Sequence, residues 1–430
     1  MSPAPGLEVR WAGPDELVEV GRLAARVFEP DVPLARSALP PTVADIASGR
    51  HPQTAPGDVA VALDHGELVG SAVLFEQPWR IGRAVFTAGR PELVVTHPDH
   101  RGRGVMRALL ALLSDRSRQR GHPAECVTGV PYVYRRLGFD YTHRFGHGFT
   151  VPVRADLPGR PGRATTRAAL RAATPADVPE VTALLGAPTT AVRTPVSQDY
   201  VRFGVEHQDP RSRRGVDTLV SELGGHLVAA VQLGRTAAPW ATRVVTAALA
   251  DEADPLGVLA SLMVAAERTA RSGLAPGAAS LTLALGDRHV LYDAARACDL
   301  PLTPASLDDW YFRIADRVGF AEVLAGELTR RLSTSAFRHL SVVLRVDDHR
   351  GALDLHVEDG VVRATAADAT THENPLVLSV APDRLASLLT GHRGVDDLVA
   401  ASPETFGSPA ALALARAMFP VLPAVTLPLD

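Results

Sequence analysis

Apolar positions near the N-terminus recur first at period two and then at helical spacing. Leu7 to Trp11 reads as a strand, and Asp15 to Val27 as a helix with Asp15 as its N-cap. Val59–Leu63 and Leu68–Phe75 alternate as strands, joined at the Asp64-His65-Gly66-Glu67 turn into a hairpin. Leu93-Val94-Val95 is a short buried strand stopped by Pro98 and Asp99. Leu109, Leu110, Leu112 and Leu113 then mark one side of a helix running to about Arg120. A strand near Glu125–Thr128, a short helix around Tyr132–Leu137 and a strand from Phe139 follow.

Between the strand and the leucine-rich helix lies THPDHRGRGVMR, Thr96 to Arg107. The first backbone N–H groups of a helix have no partner inside it, and the helix dipole adds positive charge there. Gly102 and Gly104 carry no side chain that would hold an anion away. The stretch therefore suits a phosphate cradle, and it equally suits a basic, solvated loop. A P-loop is excluded because it needs Gly-Lys-Ser/Thr, and all 44 basic residues of this chain are arginine. The dinucleotide fingerprint is excluded because its third glycine falls on Arg107.

The layout then restarts. Ala155–Arg167 is rich in Pro and Gly and reads as a linker. Leu170–Leu185 repeats the strand-then-helix opening, Val216–Leu223 and His226–Leu233 repeat the hairpin, and Arg243–Gly273 repeats the strand and long helix. In this repeat Asp251, Glu252 and Asp254 replace the cradle, so it is expected to bind no nucleotide. From Leu332 onward the pattern is strands and amphipathic helices, with an Asp359-Gly360 hairpin turn. The expected domains are 1–157, 158–331 and 332–430.

Composition narrows the classes. At 430 residues, 46% apolar and 21% charged, the chain is globular, with room for about three domains. A net charge of −4 gives no basic footprint for nucleic acid and weakly suits a cationic substrate. Cys126 and Cys298 stand far apart, and His122, His143 and His147 have no metal spacing, so no metal site is expected. The lack of an apolar run of ~18 residues and of a signal-peptide pattern leads to the expectation of a cytoplasmic protein with no membrane span.

The Arg101-x-x-Gly104 loop after a strand resembles the coenzyme-A loop of the GNAT N-acetyltransferases, Gln/Arg-x-x-Gly-x-Gly/Ala, with Met106 in place of the small last residue. Downstream, YVYRRLGF (Tyr132–Phe139) resembles that family's Phe/Tyr-Tyr-x-x-x-Gly-Phe segment, which puts Tyr134 beside the coenzyme-A sulfur. A leaving thiolate needs a proton. A thiol titrates near ~8.5 and a phenol near ~10, so the phenol is a fitting weak acid. Tyr134 also reads as a core aromatic, as do Tyr132 and Tyr141. The cofactor contacts implied are Val94, Val95 and Thr96 on the strand, Gly102, Arg103, Gly104, Val105, Met106 and Arg107 at the helix start, and Gly129 and Val130 before the tyrosine.

The whole layout resembles the enhanced-intracellular-survival (Eis) acetyltransferases. That resemblance implies an α/β (α+β) protein of tandem GNAT folds, one active and one degenerate, followed by a sterol-carrier-protein-like α+β domain. It further implies acetyl-CoA as cosubstrate, a small-molecule amine of the aminoglycoside or polyamine type, and a homohexamer built as a trimer of dimers. It also makes the C-terminal carboxylate the base, here on Asp430, whose apolar approach FPVLPAVTLPLD reads equally as a packed structural tail. Phe28, Glu29 and Asp31 could line an amine pocket or a solvated turn. His97 and His100 read as loop residues. Protein-lysine acetylation, or a lipid or acyl-CoA carrier without catalysis, are the competing functions.

Overall fold

Val59, Val61 and Val73 point one way from their strands, and Ala60, Ala62 and Ala72 point the other, so the first sheet has two buried faces. The structure, a computed structural model, describes residues 6–130, 132–154, 157, 169–187, 192–206, 216–234, 241–272, 280–305, 308–367 and 374–426. In chain order the first region holds β1 (Leu7–Trp11), α1 (Leu17–Phe28), α2 (Leu39–Ala47), β2 (Val59–Asp64), β3 (Glu67–Ile81), β4 (Ala84–Thr96), α3 (Val105–Gln119), β5 (Ala124–Val127), β6 (Asp140–Phe145) and β7 (Gly148–Pro152). The second holds β8 (Arg171–Ala172), α4 (Val178–Leu185), β9 (Val192–Arg193), α5 (Gln198–Glu206), β10 (Val216–Leu223), β11 (His226–Gly234), β12 (Ala241–Leu249), α6 (Pro255–Ser272), β13 (Ser280–Leu283), α7 (Val290–Ala297), β14 (Thr303–Ala305) and β15 (Asp308–Ile314). The third holds α8 (Arg317–Ser333), β16 (Val342–Asp347), β17 (Ala352–Glu358), β18 (Val361–Ala366), β19 (Leu376–Ser379), α9 (Leu385–Leu389), α10 (Val395–Ala401), β20 (Phe406–Gly407), α11 (Pro409–Met418) and β21 (Ala424–Val425). Among the described residues no helix is long and apolar enough to cross a membrane.

The strands form three sheets among the described residues. Sheet one runs β1-β2-β3-β4-β5-β15-β6, with β9 paired to the far end of β3 and β21 paired to β9, and sheet two runs β8-β10-β11-β12-β13-β7-β14. The two orders correspond strand for strand, with one exchange. β7 leaves the first region to lie between β13 and β14, and β15 leaves the second to lie between β5 and β6. Sheet membership therefore crosses the 157/158 boundary in both directions. Sheet three, β18-β17-β16-β19-β20, packs against α8, so the 331/332 boundary falls inside a helix whose buried Phe320, Leu324 and Leu328 belong with that sheet.

Helices cover both faces of sheet one. α1 and α2 pack on the valine face, and Val105, Leu109 and Leu113 of α3 pack on the alanine face. Trp79, Phe86 and Phe312 of sheet one join the third region's Leu355, Leu388 and Met418 in one continuous core. Polar contacts brace the same junction: Arg384 pairs with Asp140 at 2.8 Å, Ser387 donates to Asp140 at 2.6 Å, and Arg135 pairs with Asp383 at 2.7 Å. Burial pushes the Asp140 carboxyl up to about 6, against the opposing pull of Ser387 and Arg384.

His143 of β6 and His392 face each other across this junction with ring centroids 5.3 Å apart, and His143 Nε2 lies 3.1 Å from the Thr390 carbonyl. Burial pushes His143 down to about 3 and His392 down to about 4. Their ordinary value is ~6.5, so the unfolded chain binds more protons than the folded one in between. The histidine pair's contribution is complete above about pH 6.5 and is lost as pH falls through 4 and 3, while Asp140, raised to about 6, acts in the opposite sense and partly offsets it. Thermal melts should therefore drop steeply over that window. His143→Gln, which keeps a neutral donor for Thr390, should flatten the drop, and an unchanged acid limb would remove His143 from its cause.

Candidate active site

Sheet one opens where the cradle begins. β4 and β5 run parallel but pair at Gly89–Glu125 alone, and beyond that pair they part. In the same stretch β4 carries a bulge: Ser71 faces Val95 and Val73 faces Glu92, so Leu93 and Val94 together oppose Ala72. Leu93 takes a left-handed φ of 49°. That conformation costs roughly 1–2 kcal/mol. Leu93 is 2% exposed, and burying it on the α1 core contributes about 1.5–3 kcal/mol, enough to hold the bulge. The backbone of Val94, Val95 and Thr96 thus borders a wedge with no strand closing its β5 side.

The helix start faces the mouth of this wedge. Gly102 and Gly104 have φ of 78° and 83°, and a Cβ at either would meet nothing within 4 Å. Gly104 is the N-cap of α3 and gives it no side-chain cap, so the amides of Val105, Met106 and Arg107 have no protein acceptor from a capping side chain. The Arg103 guanidinium binds Asp64 at the end of β2 and lies 2.9 Å from His100 Nδ1, which ties the loop to the sheet. The Arg103 hydrogen bond, against the opposing effect of burial, holds the Asp64 carboxyl below the usual carboxylate range. Among the described residues the Arg101 and Arg107 guanidiniums have no carboxylate partner, and both are exposed. Behind Arg107 a cavity of about 310 Å³ follows α3, lined by Leu110, Ser114, Leu137, Phe139 and Arg313.

Tyr134 opens a short 3₁₀ turn, Tyr134–Leu137, that ends at Gly138 with φ 87°. Its ring packs with Phe139 and Tyr311 at centroid distances of 6.1 and 5.3 Å. Gly129, at φ 147°, leaves room for it: a Cβ there would lie 3.0 Å from Tyr134 Cε2 and 3.3 Å from the hydroxyl. Burial first, and the nearby Glu92 second, push the Tyr134 phenol up to about 12, so it holds its proton at neutral pH. Val130, at the tip of the intervening loop, is 64% exposed.

Glu92 escaped the sequence reading. It stands at the bulge, 13% exposed by its side chain, 3.4 Å from Arg90 Nε, and close enough to Tyr134 to shift its titration. A carboxylate just ahead of an apolar strand end was the available signal. Asp430 lies outside the described residues. The chain leading to it is anchored at Thr426, which is 2% exposed and bonded to Trp310 Nε1 at 3.1 Å and to the Arg144 carbonyl at 3.0 Å. Four further residues reach at most ~14 Å from there. Among the described residues no three His, Cys, Asp or Glu side chains gather as metal ligands.

Sheet two carries a bulge of its own, where Gln232 faces Thr246 and Leu233 faces Val244, and β12 runs on to Leu249 past the end of β13, but its helix start and its tyrosine differ. β12 and β13 stay paired from Ala241–Ser280 through Val244–Leu283. Asp254 accepts from the Gly257 amide at 3.1 Å, so α6 is capped by its own carboxylate. Tyr292 spends its hydroxyl on the Leu283 and Gly286 carbonyls and the Leu285 amide, at 3.0, 2.9 and 3.1 Å.

Residues 8–142 match the family described as acetyltransferase (GNAT) domain. No curated protein matches the chain by sequence. Solved structures of the same fold include a GCN5-related N-acetyltransferase from Kribbella flavida, at 19% identity and TM-score 0.69, the match covering 99% of this chain and 98% of that one. A probable N-acyltransferase from Enterococcus faecalis V583 is similar at 13% identity and TM-score 0.68, over 97% of this chain and 98% of that one. Eis1 from Mycobacterium abscessus is similar at 17% identity and TM-score 0.61, over 96% of this chain and 97% of that one.

Proposed function

We propose that this acyltransferase, whose residues 8–142 form a GNAT acetyltransferase domain, moves the acetyl group of acetyl-CoA to an amine of a small polycation, aminoglycoside or polyamine in type. The observation that carries the reading is the β4–β5 wedge, bordered by the bulge at Leu93–Val94, the uncapped start of α3 and Tyr134. GNAT domains use acetyl-CoA, and the open faces of Gly102 and Gly104 with Arg101 and Arg107 beside them suit its pyrophosphate. Bound there, acetyl-CoA would supply the thioester. Backbone amides of Val94–Thr96 on the side away from β3 polarise its carbonyl, and Tyr134 donates toward its sulfur. Because the phenol is raised to about 12, it acts mainly as a hydrogen-bond donor to the developing thiolate. The amine must lose its proton before attack. The Asp430 terminal carboxylate is the proposed acceptor, with Glu92 as the alternative because its charge reaches the Tyr134 phenol. In this reading sheet two is a degenerate GNAT copy and the third region a sterol-carrier-like domain.

A catalyst fits better than a lipid carrier. The third region's apolar side chains are committed to a core shared with sheet one. The net charge of −4 favours a cationic substrate. Thiol release from acetyl-CoA against aminoglycosides, polyamines and lysine peptides tests the reading. Release with aminoglycosides or polyamines supports it, release with lysine peptides alone transfers the activity to proteins, and release with none rejects an amine acetyltransferase. The proposed assembly is a trimer of dimers, for which exposed apolar residues such as Val85 and Phe406 offer contact surface. A monomer by light scattering at micromolar concentration would reject it.

A further inference from the structure

We propose that Tyr311, on the strand that the second half of the chain inserts into sheet one, positions the acetyl-transfer site by holding, together with Tyr141, the Val130 carbonyl and the Tyr132 amide. The inference rests on the acetyltransferase reading and adds to it a residue from outside the matched domain. Tyr311 is fully buried and sits in register with Val127 on one side and Tyr141 on the other. The Tyr311 and Tyr141 hydroxyls are 2.8 Å apart. The Tyr132 amide donates to the Tyr141 hydroxyl at 3.1 Å, and the Tyr311 hydroxyl donates to the Val130 carbonyl at 3.2 Å. Tyr311 has one proton, and its hydroxyl is placed to donate it to the Tyr141 hydroxyl or to the Val130 carbonyl. The Tyr141 hydroxyl accepts from the Tyr132 amide, so the two phenols together touch both backbone groups.

Val130 is 64% exposed and Tyr132 is 69% exposed, so neither side chain anchors the loop by burial. Tyr132 has φ 67°, a left-handed conformation that persists in a non-glycine residue only when its surroundings fix it. Tyr134 follows two residues later, and its ring rests on Tyr311 at 5.3 Å. A shift of the Val130 carbonyl and the Tyr132 amide therefore carries the Tyr134 hydroxyl with it, and a displacement of an ångström at a reacting centre is worth as much as a hundredfold in rate. The exchange of β15 thus makes the site dependent on a strand that the second region supplies.

Tyr311→Phe and Tyr141→Phe keep both rings and remove one hydroxyl each. Steady-state kinetics on the full chain should show kcat falling roughly 10- to 100-fold in either variant, with the KM for acetyl-CoA within ~3-fold. Because the two hydroxyls act as one unit, the double variant should be no slower than the single ones. Amide exchange by mass spectrometry should rise in the peptide spanning 128–134 in all three. A Tyr311→Phe protein with wild-type kcat and unchanged exchange would overturn the proposal, as would losses that multiply in the double variant. Should Tyr311→Phe fail to fold, Tyr141→Phe carries the same expectation. A wild-type chain that acetylates no amine would defeat the acetyltransferase reading instead, and the exchange measurement would still decide whether the two tyrosines hold this backbone.

Discussion

Gly104→Asp is expected to abolish acetyl-CoA binding in a protein that still folds. The position is an open N-cap at φ 83° with no neighbour within 4 Å of a new Cβ, so the side chain meets no steric block. The left-handed backbone costs roughly 1–2 kcal/mol, and Asp and Asn tolerate it better than most residues. The carboxylate would cap α3 itself, as Asp254 caps α6, and would stand where a pyrophosphate must come. One like-charge pair at about 4 Å costs ~4 kcal/mol near a protein surface, roughly a thousandfold in affinity. Gly104→Asn has the same backbone strain without the charge, so its loss should stay within about tenfold. Calorimetry on the wild type should give one site per chain, since in sheet two Asp254 caps α6 and the Tyr292 hydroxyl is committed to backbone carbonyls. Unchanged affinity in Gly104→Asp would place the cofactor elsewhere, and two sites per chain would reopen sheet two as a binding site.

The cradle was legible because its signal is local. Gly102 and Gly104 mark two left-handed positions, and the leucine spacing fixes the helix they introduce. Tyr134 was legible from its spacing to Gly138-Phe139, and the structure puts it against that phenylalanine. The length of β4 was not legible. Gly89 and Pro91 interrupt its pattern, and both have positional causes. A Cβ on Gly89 would lie 2.1 Å from Ser117 Oγ, and Pro91, which cannot donate to a ladder, stands just past the last β4–β5 pair. The exchange of β7 and β15 leaves no local trace, because each strand replaces an equivalent one and keeps its own alternation. Tyr141 read as a core aromatic; its ring does pack on Tyr311 at 4.4 Å, but its hydroxyl bonds to a strand 170 residues away. Glu92 acquires its position only from the bulge beside it, which periodicity does not announce.

Tyr134→Phe should lower kcat by ~10²–10⁴ and leave acetyl-CoA affinity nearly unchanged, because it deletes one hydroxyl and keeps the ring against Phe139 and Tyr311. Burial holds this phenol near 12, so its loss should not remove an alkaline limb from the rate profile below pH 10; it should lower the whole profile. The identity of the base is separable in the same assay. A few residues added after Asp430 displace the α-carboxylate while leaving the cradle, the bulge and Tyr134 in place. Asp430→Asn removes the side-chain charge and keeps the terminal one. Glu92→Gln removes the carboxylate beside Tyr134 and nothing at the C-terminus. If the terminal carboxylate takes the proton, extension stops turnover while Asp430→Asn and Glu92→Gln retain most of it, all three binding acetyl-CoA as wild type does. If the extended protein turns over normally and Glu92→Gln does not, the C-terminal carboxylate takes no part, the contacts of Thr426 with Arg144 and Trp310 are structural, and the proton passes to the bulge of β4 instead.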